Sequence, residues 1–299
     1  MFDYKVTTKR SFIATVSNKL MQISGIKSKL AKESFEKLQS YEDKKTPVKK
    51  GYLKEVIGNA TVYWINKEKR ENGIFVFLPG GGFVIGPTKL HWVYSEKMSN
   101  KLDMAVMVIR YALAPQNPFP AGLNGIVEVI TKLQNRGVLN QNWFLGGESA
   151  GGNLALAACY KLQELKAALP QKVLLLYPSL EMNMDRAKPE AQKIIEKDMI
   201  LSIPFTERIL AAYARNCDLN DPLLSPLYGD VDIFPPILLQ HGTDDILVAG
   251  SRALVQKMEA AGKQIKFEEY EGIFHGFILY PILPEARQAI RSQLKFLKS

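Results

Sequence analysis

Apolar and polar positions alternate in two different rhythms along the chain. Over residues 9–45, apolar side chains including Phe12, Val16, Leu20, Ile23, Ile26 and Leu30 recur at three- and four-residue spacing. That is the repeat of an amphipathic helix, interrupted near Gly25, and such helices need a surface to cover. From Gly51 to Lys67 the pattern becomes alternating, through Tyr52, Val56, Val62 and Trp64, and Gly58-Asn59 predicts the turn of an antiparallel hairpin. Beyond residue 73, short apolar or β-branched runs are separated by longer helical stretches. The predicted strands are Ile74–Leu78, Ala105–Ile109, Trp143–Gly146, Val173–Tyr177, Ile237–Gln240 and Ile265–Tyr270. This alternation predicts an α/β fold with a mainly parallel sheet wrapped by helices. Between Leu180 and Asp221 the rhythm breaks into a charged segment and a helix-like stretch around Phe205–Ala214, too long for a simple connection. It predicts an insertion over the site, joined there by the N-terminal helices. No repeat or low-complexity tract is visible.

Composition narrows the class. With 299 residues, 46% hydrophobic and 23% charged, the chain has enough apolar material for one catalytic core and no bias towards disorder. The net charge of +9 permits weak attraction to phosphates or anionic membranes. The lysines are nevertheless scattered, no nucleic-acid-binding motif accompanies them, and Lys44, Lys45, Lys49, Lys50 and Lys54 read as a solvated connector, so no nucleic-acid partner is expected. Cys159 and Cys217 lie outside any C-x-x-C pair, which argues against redox or zinc chemistry and suits a reducing compartment. Residues Met1 to Lys32 lack the apolar run of a signal peptide, and no later stretch approaches 18 uninterrupted apolar residues. The expectation is a cytoplasmic protein without stable membrane insertion.

The chemistry concentrates where Trp143–Gly146 runs through Gly147-Glu148-Ser149-Ala150-Gly151 into a helix-compatible segment, placing G-x-S-x-G across a strand-to-helix join. A serine hydroxyl pushed out of so sharp a turn needs small neighbours, and the helix N-terminus adds N–H groups beneath the reacting carbon. The pentapeptide alone is moderate evidence, since a glycine-rich turn opening a core helix looks the same. A hydroxyl is a weak nucleophile and needs a base. Of His91, His241 and His275, the last lies in a loop after the final predicted strand, where it can reach across the sheet's C-terminal edge, and it is the predicted general base. His91 and His241 read as capping, packing or exposed residues. The acid that orients the base lies in the turn after Ile237–Gln240, where Asp245 is favoured over Asp244, which reads as a turn or capping residue. The order Ser149, Asp245, His275 is that of α/β-hydrolases rather than of chymotrypsin or subtilisin folds.

Charge developing on an ester oxygen must meet fixed donors. The run Pro79-Gly80-Gly81-Gly82-Phe83 directly follows Ile74–Leu78, and Gly81, Gly82 and Ala150 are the candidate oxyanion donors. No Gly-Lys-Ser/Thr and no G-x-G-x-x-G spacing is present, which disfavours nucleotide binding. Phe83 reads as a wall of the substrate pocket or, almost equally, as a core aromatic.

Taken together these residues resemble the hormone-sensitive-lipase group of α/β-hydrolases, the bacterial family IV esterases. Pro79–Gly86 resembles that family's HGGGF segment, Tyr111–Ala121 its YRLAPEHPFPA segment, Gly147–Gly152 its GDSAGG, and Asp221–Leu247 its DPLxSPL stretch and acid turn. With Phe274-His275-Gly276-Phe277 the likeness covers about residues 50–299. The offset of Asp245 from Gly242 is the usual one in similar hydrolases. The resemblance implies an eight-stranded sheet and a helical cap built from an N-terminal segment, 1–50, and an insertion near 183–220 of a catalytic domain, 51–299. It further implies no cofactor and no metal, and small-molecule esters of short or medium acyl chain as substrates. A homodimer is compatible with it. Two departures stand out: Pro79 replaces the family's leading histidine, so any hydrogen bonds that histidine gives the loop must be lost or replaced, and Glu148 replaces the Asp before the nucleophile. An amidase or peptidase would use the same triad. A non-catalytic ligand-binding relative, such as the plant hormone receptors that resemble this family, would lack a triad member, and here all three are retained.

Overall fold

The computed structural model describes residues 3–7 and 10–299. A first strand, β1 (Asp3–Thr7), precedes four helices, α1 (Phe12–Ser24), α2 (Ile26–Lys32), α3 (Phe35–Gln39) and α4 (Lys45–Lys49). The hairpin β2 (Leu53–Ile57) and β3 (Ala60–Ile65) leads into β4 (Ile74–Leu78), α5 (Lys89–Leu102), β5 (Ala105–Arg110), α6 (Ala121–Asn135), β6 (Trp143–Glu148) and α7 (Ala150–Glu164). Then come β7 (Val173–Leu176), α8 (Met184–Ile194), α9 (Ile203–Ala214), β8 (Ile237–Gly242), α10 (Val248–Ala260), β9 (Ile265–Tyr270) and α11 (Pro284–Lys298).

One sheet runs in the order β1-β9-β8-β7-β6-β4-β5-β3-β2. It is parallel except where β3 pairs antiparallel with β2 and with β5. Every residue of β4 is buried. Because successive side chains of a strand point to opposite faces, Ile74, Val76 and Leu78 join one core layer while Phe75 and Phe77 join the other. Each such buried side chain contributes about 1.5–3 kcal/mol of transfer free energy. This two-faced burial explains why the central strands β4, β5 and β7 read as nearly unbroken apolar runs. Helix α7 is buried over Ala150–Leu162 except Lys161, since it packs into the middle of one face; its small residues Gly151, Gly152, Ala155, Ala157 and Ala158 permit that approach.

The expected strands are present as β2–β9, and a further strand extends them. β1 pairs parallel with β9, Asp3 to Thr7 against Lys266 to Tyr270. Asp3-Tyr4-Lys5-Val6-Thr7 does alternate polar and apolar residues, but with only two apolar side chains the run is too short to stand apart from the helical segment that follows. The N-terminal amphipathic pattern also resolves differently from expectation. The helix does break at Gly25, but α1 packs through Ala14 and Asn18 while Phe12, Leu20 and Ile23 face solvent. Ile26 and Leu30, on α2, turn inward to the cavity described below.

Candidate active site

Strand β6 ends at Glu148 and α7 begins at Ala150, so Ser149 carries the whole reversal, with φ 53 and ψ −116. That is a strained position for a residue with a side chain. It is held by the Ser149 N–H donating to Leu176 O at 2.9 Å and by the Ser149 carbonyl accepting from Gly152 and Asn153. Asn153, fully buried, donates through Nδ2 to Ser179 O at 2.8 Å and Leu224 O at 2.7 Å, which ties the turn to the segment before β8. The tightness is measurable at Gly151, where a Cβ would stand 2.0 Å from Leu78 O.

Ser149, Asp245 and His275 meet at the C-terminal edge of the sheet. His275 Nε2 lies 2.9 Å from Ser149 Oγ, and His275 Nδ1 lies 2.7 Å from Asp245 Oδ2. An ionised carboxylate only accepts, so Nδ1 carries a proton, and in the neutral ring Nε2 is left to accept from the serine hydroxyl. Burial disfavours a charged imidazole, yet the adjoining Asp245 charge and hydrogen bond outweigh it, and His275 is raised to about 9. Burial would likewise raise the Asp245 carboxyl, but the two imidazoles beside it hold it well below the usual carboxylate range. Asp244 points elsewhere, 3.8 Å from Arg10.

The second of those imidazoles is His241. Its Nε2 is 2.8 Å from Asp245 Oδ2 and its Nδ1 is 2.8 Å from Ser251 Oγ, with no exposure at all. Oδ2 of Asp245 therefore faces two ring nitrogens, while Oδ1 accepts from Leu247 N at 2.9 Å. Read from the sequence as capping, packing or exposed, His241 is instead a partner of the acid; the four-residue spacing to Asp245 across a turn is the only hint the sequence holds. A further contact comes from the 183–220 segment. Asp198, 1% exposed, accepts through Oδ2 from Ile246 N at 2.9 Å and through Oδ1 from Ile200 N and Leu201 N at 2.8 Å. Burial, with the Asp245 charge nearby, raises Asp198 to about 6. Lys27 of α2 donates to the carbonyl oxygens of Ile195 and Asp198. The N-terminal helices, the insertion and the acid turn are thereby joined by one set of hydrogen bonds, which no local motif reveals.

Gly81, Gly82 and Ala150 line the same cavity as Ser149 and His275. Gly81 sits at φ 117, a conformation closed to most side chains, and its carbonyl accepts from Val84 and Ile85. Around Pro79, where the resembling family carries a histidine, other groups hold the loop. Tyr111 OH donates to Pro79 O at 2.7 Å, and the Glu148 carboxylate lies beneath Gly80, whose Cβ would meet it at 1.9 Å. Glu148 Oε2 is 3.2 Å from His91 Nε2, and His91 Nδ1 accepts from Thr88 N at 2.9 Å, which assigns the ring proton to Nε2. The capping role expected of His91 is thus present, with the far side of the ring serving the glycine loop. Phe83 lines this cavity and stacks on Tyr213 with centroids 3.8 Å apart and planes 6° from parallel.

The cavity is about 570 Å³, and its apolar wall includes Ile26 and Leu30 from α2 and Phe205, Ile209 and Leu210 from α9. That volume suits a small organic ligand. Among the described residues, no group of three or more His, Cys, Asp or Glu side chains is arranged to hold a metal ion, and no helix is long and apolar enough to cross a membrane. Cys159 and Cys217 are both free, and burial pushes the Cys159 thiol up to about 12.

Comparison with known proteins gives the class. A family model described as alpha/beta hydrolase fold matches residues 75–279. An acetyl-hydrolase of Streptomyces hygroscopicus is 30% identical over 244 residues, 81% of this chain and 81% of its own length. An esterase of Acinetobacter venetianus is 30% identical over 223 residues, covering 74% of this chain and 73% of that protein. The chain belongs to the α/β-hydrolase fold family. Within it, a solved esterase from the bacterial hormone-sensitive lipase family is similar, at 28% identity and a TM-score of 0.75 over 97% of this chain and 92% of that one. An esterase/lipase from an uncultured bacterium shares the fold at a TM-score of 0.84, with 22% identity over 96% of this chain and 98% of that chain.

Proposed function

We propose that this α/β-hydrolase is a carboxylic ester hydrolase that cleaves short- to medium-chain esters through an acyl-enzyme on Ser149. The observation that carries the reading is the continuous path of hydrogen bonds from Ser149 through His275 to Asp245. The printed names of its relatives, acetyl-hydrolase and esterase, point to the same class of substrate.

In the first half-reaction, His275 Nε2 takes the proton of Ser149 Oγ as that oxygen bonds to the ester carbonyl carbon. The carbonyl oxygen takes up the electron pair, and N–H groups of Gly81, Gly82 and Ala150 receive it; each donor of this kind is worth about 3–4 kcal/mol in the transition state. The tetrahedral adduct collapses as imidazolium returns its proton to the departing alcohol. A water then loses its proton to His275, attacks the acyl carbon, and releases the acid with Ser149 restored. Asp245 stays ionised throughout and holds the ring.

Of the N-terminal segment, 1–50, expected to join the cap, β1 belongs instead to the sheet; helix α2 and the insertion near 183–220 serve in this reading as a cap over the catalytic domain, 51–299, since α2 and α9 supply the apolar wall against which an acyl chain would lie. A reducing, cytoplasmic setting suits the two free thiols. The test is an acyl-length series of p-nitrophenyl esters on the purified chain, with matched anilides and Ser149→Ala as controls. Ester turnover that exceeds anilide turnover and vanishes in the variant is expected, together with labelling of Ser149 by a fluorophosphonate. Activity surviving in Ser149→Ala, or no ester cleaved at all, would overturn the reading.

A further inference from the structure

Helix α1 turns most of its large apolar side chains to solvent and packs against the protein through Ala14, Asn18 and Met21. Phe12 is 81%, Leu20 61% and Ile23 73% exposed, and Ile13 and Val16 flank them on the same side. At about 100° per residue these five positions form one stripe roughly 100° wide. The orientation is pinned rather than incidental. Ser11 at the N-cap donates through its backbone N–H to Glu285 Oε1 at 2.7 Å and through Oγ to Glu285 Oε2 at 3.1 Å, and Asn18 Nδ2 donates to Gly272 O at 3.1 Å. Rotating the stripe inward would break all three bonds. An exposed apolar patch of this kind marks an interaction surface.

The position and charge of the helix say what the surface meets. Gly272 lies three residues before His275, so α1 rides on the catalytic side of the molecule. Directly after Gly25 the chain continues into α2, whose Ile26 and Leu30 line the cavity. The stripe therefore leads towards the mouth of the site. Residues 10–50 hold ten lysines and arginines against four acids, a surplus of six positive charges in a chain whose total is +9. Lys19, exposed on α1, and Lys32, exposed on α2, belong to that surplus. A second copy of this chain docking through the same stripe would bring two such segments together and be repelled. A negatively charged lipid surface offers both an apolar layer for the stripe and anionic headgroups for the lysines.

We propose that α1 is an interfacial anchor that seats the N-terminal side of the enzyme on anionic lipid. The helix lies in the plane of the surface, with Phe12, Leu20 and Ile23 immersed among the acyl chains and the cavity mouth beside them. This goes beyond the proposed ester chemistry and does not depend on it, because lipid binding is read without turnover.

The test is flotation of the full chain with vesicles of phosphatidylcholine alone and of phosphatidylcholine mixed with phosphatidylglycerol. The triple variant Phe12→Ser, Leu20→Ser, Ile23→Ser is compared with the parent, its fold being checked by circular dichroism. The parent is expected to bind the mixed vesicles at least tenfold more tightly than the neutral ones and to be released by salt. The variant should lose at least tenfold in binding yet hydrolyse a dissolved short-chain ester within twofold of the parent. Failure of the parent to bind anionic vesicles, equal binding by the variant, or equal binding to neutral vesicles would overturn the proposal. So would a parent that sediments as a dimer and a variant that sediments as a monomer, which would assign the stripe to a second copy.

Discussion

Asp245→Asn isolates the charge that the site places beside its base. The substitution keeps size and deletes one negative charge 2.7 Å from His275 Nδ1. In the native protein burial opposes the imidazolium, and Asp245 more than offsets it, leaving His275 at about 9 against an ordinary 6.5. At 1.36 kcal/mol per pH unit, that difference is on the order of 3 kcal/mol of net preference for the protonated ring. Two consequences follow for the parent. The general base must be neutral, so kcat/KM should rise about tenfold per pH unit through neutral pH and level off near pH 9. Because the folded-state value lies above the unfolded one, the contact stabilises the fold fully below about pH 6.5, and up to roughly 3 kcal/mol is lost as pH climbs through 9. In Asp245→Asn the acid limb of the rate profile should move down by about two units, and kcat should fall about 10³- to 10⁴-fold, as the ring loses its correct tautomer. Stopped-rate ester assays across pH 5–10, paired with thermal unfolding at each pH, measure both. A limb that stays near 9 in the variant, or a rate within tenfold of the parent, would show that Asp245 does not govern His275.

Three other substitutions probe the surroundings. His241→Leu removes a donor that shares Asp245 Oδ2, so the acid should bind His275 more strongly and the rate limb should move to higher pH, opposite in sign to Asp245→Asn; a limb moving the other way rules the sharing out. Asn153→Leu strands the buried carbonyls of Ser179 and Leu224, at a cost of about 2–4 kcal/mol, and a denaturant titration showing less than 1 kcal/mol would mean the turn is held otherwise. Gly151→Ala drives a methyl to 2.0 Å from Leu78 O, where neither partner is a mobile side-chain end, so loss of more than about 3 kcal/mol, or failure to fold, is the outcome to look for in purified yield and melting temperature.

Much of this molecule is written locally. The apolar runs of β4, β5 and β7 announce themselves because strands covered on both faces need no polar alternation, and the sharp turn at Ser149 announces itself because only a glycine at 151 tolerates the approach of Leu78 O. Those are constraints on single residues and their immediate neighbours, so one chain suffices to display them, and the order Ser149, Asp245, His275 follows from the succession of strands. Other features depend on which distant groups happen to meet. Whether His241 is a packing residue or a second partner of Asp245 turns on ring orientations inside a closed core. The approach of Asp198 to Ile246, the hydrogen bond of Tyr111 to Pro79, the Glu148–His91 pair, and the pairing of β1 with β9 are likewise long-range. The N-terminal helix makes the contrast plainest. Its 3.6-residue periodicity determined that α1 would form and have one apolar face, but periodicity is the same whichever way that face turns. Hydrogen bonds from Ser11 to Glu285 and from Asn18 to Gly272, 254 or more residues away, decided that it turns outward.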